Sequence, residues 1–116
     1  MHFRTARSLL SLIFFAASLF AADITGTWHA EVETDAGNGS PTFKLQQTGE
    51  KLTGTYSGAL GDAKITGTVK GSDVVIEFEA QVPVTYQGKV SEDGKSMTGA
   101  VDLGGQAKGT FKATKQ

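Results

Sequence analysis

Residues 52–58 read LTGTYSG, and near-copies recur along the chain: ITGTW at 24–28, ITGTV at 65–69, MTGAV at 97–101 and KGTFK at 108–112. Each sets a glycine two residues before a larger apolar side chain. Glycine weakens a strand interior and marks a bend or a close approach of another backbone. Its return inside runs that otherwise read as β-strand therefore calls for a geometric reason. The spacing of the copies is irregular, which excludes a solenoid repeat.

Around these phrases the chain from residue 23 onward shows no helical period of apolar residues. It shows short runs of period-two alternation separated by turn residues, the pattern of half-buried antiparallel strands. In the first run, Gly26–Thr34, Trp28, Ala30 and Val32 share one phase and His29, Glu31 and Glu33 the other. DAGNGS follows, with Asn38-Gly39 as the turn signal. The further runs are Thr42–Gln47, Lys51–Ser57, Ala63–Lys70, Asp73–Ala80, Val84–Val90, Ser96–Leu103 and Gln106–Thr114. Loops of hairpin length join them, so neighbours in sequence become neighbours in space.

Eight such strands in a flat meander would expose two long edges, and closure removes both. The sequence therefore predicts an all-β fold, an eight-stranded antiparallel up-and-down barrel. A two-sheet sandwich would use the same runs, but no long Greek-key crossover is present to build it. Gly26, Gly54, Gly67, Gly88, Gly99 and Gly109 all fall in the inward phase, each two residues before a larger inward residue. Thr27, Thr53, Thr55, Thr66, Thr68, Thr98 and Thr110 point outward, where β-branching favours the strand. Small residues alternating with large ones let side-chain layers interdigitate inside a narrow barrel, and glycine also permits the coiling that closure demands.

The barrel is expected to occupy residues 23–116, behind a signal peptide at 1–22. MHFRTAR is a basic start carrying Arg4 and Arg7; SLLSLIFFAASLF is an apolar core; AAD offers small residues for cleavage near Ala21 or Ala22. The apolar run is shorter than the roughly 20 residues of a spanning helix. The expectation is an exported protein, periplasmic or extracellular, with no stable membrane anchor after cleavage. There is no cysteine, which excludes disulfides, thiolate metal sites and lipid attachment through cysteine.

From residue 23 the chain carries nine lysines and twelve acids, a net charge of −3, and no arginine. That balance, without a basic stripe, excludes nucleic acid as a partner. His29 is the only histidine in this region, so neither a multi-histidine metal site nor a histidine pair can form. His29, Glu31 and Glu33 read as a solvated outer face. The segment TDAGNGSP departs from the calcium-loop pattern, and the glycine-rich turns precede no helix that could cradle phosphate. Glu77 and Glu79 share the outward face of their strand. No catalytic residue, metal site or cofactor is expected.

The inward set is apolar except for Tyr56, Tyr86, Gln47 and Thr34. An apolar lining with a few placed polar groups is the usual composition of a small-molecule pocket. The candidate ligand-binding residues are Trp28, Phe43, Tyr56, Phe78, Tyr86 and Phe111. The functional expectation is a non-catalytic barrel that binds a small hydrophobic molecule in its interior or mouth. The alternative is a solid-core structural or protein-interaction module of the cell envelope, in keeping with strands too short to enclose much volume.

ITGTW, LTGTYSGALG and the later ITG resemble the first, third and fourth strands of the avidin family. The whole region resembles small exported lipocalin-like, or calycin-type, barrels, and short exported bacterial proteins with a GTW…F.L…G..LTG pattern. The resemblance implies an eight-stranded barrel. By it, Tyr56 corresponds to the avidin-family tyrosine that donates to the ligand carbonyl. Gly58 stands where that family has a hydroxyl, Ala30 where it has an asparagine, and Trp28 is the only tryptophan. These departures argue against biotin and leave a generic small apolar ligand.

Overall fold

The computed structural model describes residues 23–116, so the signal-peptide reading of residues 1–22 lies outside the described residues. Nine strands follow in order: β1 Gly26–Thr34, β2 Gly37–Gly39, β3 Thr42–Thr48, β4 Lys51–Gly58, β5 Gly61–Lys70, β6 Asp73–Ala80, β7 Val82–Val90, β8 Ser96–Leu103 and β9 Ala107–Lys115. Each of β3 to β8 pairs with the next, β1 pairs with β3, and β1 also pairs with β9. Eight long strands thus close into an antiparallel up-and-down barrel, and β2 is an extra short strand. The seam runs from Trp28↔Lys115 to Thr34↔Gly109, along nearly the whole length of β1. The open-edged sandwich is thereby excluded.

The extra strand arises where the sequence signal pointed elsewhere. The turn after β1 falls at Asp35-Ala36, and Asn38 pairs in the ladder opposite Glu33. Side-chain chemistry selects this turn over Asn38-Gly39. The Thr34 hydroxyl donates to the Gly37 carbonyl at 2.8 Å and accepts from the Ala36 amide at 3.1 Å. Asp35 is tied across the seam, its amide donating to the Lys108 carbonyl at 3.2 Å. Local hydroxyl bonds of this kind compete with other turns for the backbone. As a result β3 meets β1 only from Gly26↔Leu45 to His29↔Thr42, and β2 completes the upper half of that edge.

The alternation read from sequence holds around the ring. Trp28, Phe43, Leu52, Ile65, Ile76, Val84, Met97, Val101 and Phe111 are buried, and among the described residues no buried residue is charged. Thr53, Thr55, Thr66, Thr68, Thr98 and Thr110 are exposed, whereas Thr27 is half-buried. One end is closed by the segment leading into β1. Ile24 is fully buried, its amide donates to Gln47 Oε1 at 2.9 Å, and its carbonyl accepts from Trp28 Nε1 at 2.9 Å. Gln47, the inward polar residue of β3, thus caps backbone that would otherwise lose its partners in the core.

The inward glycines admit the backbone of the neighbouring strand. A methyl group at Gly54 would overlap the Lys44 carbonyl oxygen of β3, and one at Gly109 would overlap the Glu33 carbonyl oxygen of β1. The neighbouring strand already fills the place where a side chain would start. These positions are points of close backbone approach, which is how a short-stranded ring coils tightly enough to shut.

The turn between β6 and β7 is the tightest: Ala80 pairs with Val82 and Gln81 alone bridges them, with φ of 64°. A side chain in the left-handed region costs about 1–2 kcal/mol. Pro83 follows without harm, since β8 reaches only as far as Val84↔Leu103 and asks no amide of it.

Gly109→Ala is expected to lower stability by about 3 kcal/mol or more, because the seam must spread to admit a methyl group. Gly39→Ala, with open space around it and no left-handed φ, should stay within about 0.5 kcal/mol of wild type. Urea midpoints of the two variants decide the matter. Equal midpoints would mean that closure does not depend on the close approach.

Candidate functional site

Five inward aromatic rings form a connected ladder across the barrel. Phe43 meets Tyr86 edge-on at 5.1 Å, Tyr86 meets Phe111 edge-on at 5.0 Å, and Tyr56 stacks on Phe78 at 4.2 Å. Phe43 and Tyr56 close the circuit at 5.9 Å. The β-sheet register accounts for this clustering. Phe43 lies opposite Tyr56, Ile76 opposite Tyr86, and Gly99 opposite Phe111, so rings from five strands converge at neighbouring levels. Such offset and edge contacts each add about 0.5–1.5 kcal/mol beyond area burial.

Above this ladder lies an apolar cavity of about 160 Å³ at the end of the barrel where β1 turns into β2. Tyr56 and Tyr86 form its floor. Val32, Pro41, Leu60 and Leu103 form its walls, and the hairpin residues 36–39 pass over its rim. No charged residue lines it. Cavities of about 150 Å³ lined by apolar side chains hold a benzene-sized molecule, and drug-sized pockets begin at about 300 Å³. This one therefore fits a single ring.

The two tyrosine hydroxyls are the polar groups of the floor. Tyr56 is buried, and its oxygen accepts a long hydrogen bond from the Leu60 amide at 3.5 Å. Gly58 makes way for that hydroxyl: a methyl group there would come within 2.7 Å of the Tyr56 oxygen and 2.9 Å of Pro41. Tyr86 is 4% exposed. Among the described residues its hydroxyl has no hydrogen-bond partner, yet it is not sealed off from solvent space, because it borders the cavity. Burial, and after it the neighbouring Tyr56, pushes the Tyr86 phenol well above its ordinary value.

Of the six residues predicted from sequence, Tyr56 and Tyr86 line the cavity directly. Phe43, Phe78 and Phe111 lie beneath it and brace those two rings. Trp28 lies outside the cavity lining and belongs to the closed end, where its indole nitrogen is bound to the Ile24 carbonyl. Sequence reasoning did not pick out Val32, Pro41, Leu60 or Leu103. Leu60 carried a usable signal, since an apolar residue in the middle of the turn GALGD has no reason to face water. It folds inward and packs on the core.

The outer face is polar. His29 is exposed, with its Nδ1 3.1 Å from the Thr42 hydroxyl, and Glu31 accepts from the Ser40 hydroxyl at 3.0 Å. Among the described residues no three His, Cys, Asp or Glu side chains converge as metal ligands would. Two larger concavities, about 530 and 470 Å³, are open grooves on the outside of the wall. The second follows the line where the β5–β6 ladder ends at Thr66↔Glu77, leaving Lys64 and Glu79 unpaired with each other.

No protein family and no curated protein matches the chain. Solved structures do. A redesigned β-barrel, mFAP0, bound to DFHBI, superposes with a TM-score of 0.55 at 18% identity, over 79% of this chain and 98% of that one. A second solved structure, a fluorescence-activating β-barrel designed de novo, superposes with a TM-score of 0.57 at 13% identity, over 79% of this chain and 93% of that one. At these identities the likeness is one of fold.

The raised Tyr86 phenol has a defined consequence for stability. The folded state holds the proton more tightly than the unfolded chain, so the contribution is complete below about pH 10, the ordinary value, and is lost as pH rises above it. Tyr56→Phe leaves Tyr86 as the only tyrosine, since the chain has 2. Its phenolate absorbance is expected to emerge above pH 10 and to coincide with unfolding. A normal titration with the fold intact would contradict the burial of this ring.

Proposed function

We propose that this chain is an exported, non-catalytic barrel of the lipocalin-like type that binds a small hydrophobic molecule at its mouth. The observation that carries this reading is the apolar cavity of about 160 Å³ floored by Tyr56 and Tyr86. It combines an apolar wall, a rigid aromatic base and two hydroxyls, the composition expected of a small-ligand site. The barrel below is filled by side chains, so the ligand is held in the upper end, which takes in about one ring of it. The mFAP0 barrel, of the same fold, is bound to DFHBI, which supports the view that an eight-stranded ring of this size can hold a small molecule. Export rests on the sequence alone, on the basic start and apolar run of residues 1–22.

A second reading draws on the filled interior. Trp28, Phe43 and Ile76 are completely buried, and a solid barrel with a polar wall also suits a protein-interaction module of the cell envelope. The two are separated by experiment. Protein purified from its own host should carry a small-molecule adduct in native mass spectrometry. Titration with lipid, quinone and aromatic probes should give a saturable isotherm that Leu60→Trp, which fills the mouth, abolishes while the circular dichroism stays unchanged. Absence of both adduct and isotherm would overturn ligand binding in favour of the module.

A further inference from the structure

We propose that the mouth selects a neutral, single-ring aromatic molecule bearing a hydrogen-bond-accepting oxygen, which accepts a hydrogen bond from the Tyr86 hydroxyl with Tyr56 beside it. This rests on the binding reading above and specifies its ligand class. The volume takes in about one ring of the ligand. The donor inventory then sets its polarity. Thr34 is already committed, donating to the Gly37 carbonyl and accepting from the Ala36 amide. The Tyr56 oxygen accepts from the Leu60 amide, which leaves its own proton free. Asn38 is exposed on the rim. Tyr86 is the second free hydroxyl donor beside Tyr56, and unlike Tyr56 its oxygen is held by no protein group: it is 4% exposed, borders the cavity and has no protein partner among the described residues.

The Tyr86 hydroxyl is open to water at the cavity. A ligand that displaces that water without accepting the proton leaves the hydroxyl unsatisfied, which is costly, whereas an acceptor oxygen replaces the lost bond. The Tyr86 phenol, like any tyrosine, stays protonated and presents a donor across the physiological range. A ligand with only donor groups would leave it less well satisfied. Charge is excluded by the same lining. None of the twelve residues around the cavity is ionised, so a carboxylate or ammonium would lose its hydration with no counter-charge to replace it. The preference for a ring follows from the floor, where the Tyr56 and Tyr86 rings are braced from behind by Phe43, Phe78 and Phe111. A planar aromatic can meet them in the edge or offset geometry they already adopt among themselves.

The test uses acetophenone and ethylbenzene, which share size and ring but differ in the carbonyl. Each is titrated into the wild-type protein and into Tyr86→Phe, following the amide signals of Val32, Leu60 and Leu103 by NMR. Tyr86→Phe is expected to weaken acetophenone by about three- to tenfold, one net hydrogen bond, and to leave ethylbenzene unchanged or tighter. The carbonyl stretch of bound acetophenone should be lowered in the wild type and return upward in Tyr86→Phe. If both molecules bind and Tyr86→Phe changes them equally, with the carbonyl stretch unmoved, the ligand class is overturned and mouth binding stands. If neither binds, both are overturned. Should Tyr86→Phe lose its fold, the carbonyl stretch of acetophenone bound to wild-type protein decides alone: an unshifted band overturns the proposal.

Discussion

The close approach of neighbouring backbones at the inward glycines is the constraint on which the rest of this protein depends. At Gly109 the Glu33 carbonyl of β1, and at Gly54 the Lys44 carbonyl of β3, stand where a side chain would begin. Strands of only 7 to 10 residues make up the ring, so there is little length over which to spread the coiling. Removing Cβ at selected points concentrates the bend there and lets β1 meet β9. Once shut, the ring has no free edge along β1 or β9, and the hazard that exposed edges carry is largely removed.

Closure at this size has a consequence for function. The space inside is narrow, and the inward aromatic and aliphatic side chains fill it, with the rings in edge and stacked contact. The apolar hollow lies at the end, where the Asp35-Ala36 turn carries the β2 segment over the mouth and Leu60 folds in from the opposite turn. The two ends are therefore unequal. At one, Ile24, Trp28 and Gln47 satisfy one another and close the barrel. At the other, two tyrosine hydroxyls look into an apolar hollow.

That inequality bears on how such a barrel could be used. The buried aromatic rings of the lower half brace the Tyr56 and Tyr86 rings from behind, so the mouth is organised by the packing beneath it. The outer wall, with His29, Glu31, Glu77 and Glu79 exposed, keeps the surface hydrated and separates the hollow from any charged group.

The eight barrel strands, their inward phase and their closure were legible in the sequence, because alternation and short loops are local properties that leave few topologies to choose among. The special positions of glycine were legible too, and so was coiling as one reason for them; which backbone each glycine admits depends on where the next strand lies. Tyr56 and Tyr86 were recognisable as polar members of an apolar face. The same reasoning put Trp28 with them, since phase along a strand says which face a residue takes and nothing of which end its side chain reaches. The sequence by itself determined the alternating strands and the composition of the interior. Only the tertiary structure decided the Asp35-Ala36 turn, the extra strand β2 and the place of the hollow, because the local bonds of the Thr34 hydroxyl win over Asn38-Gly39 in a hairpin tied across the seam by Asp35 and Lys108, and the hollow is walled by segments far apart in the chain.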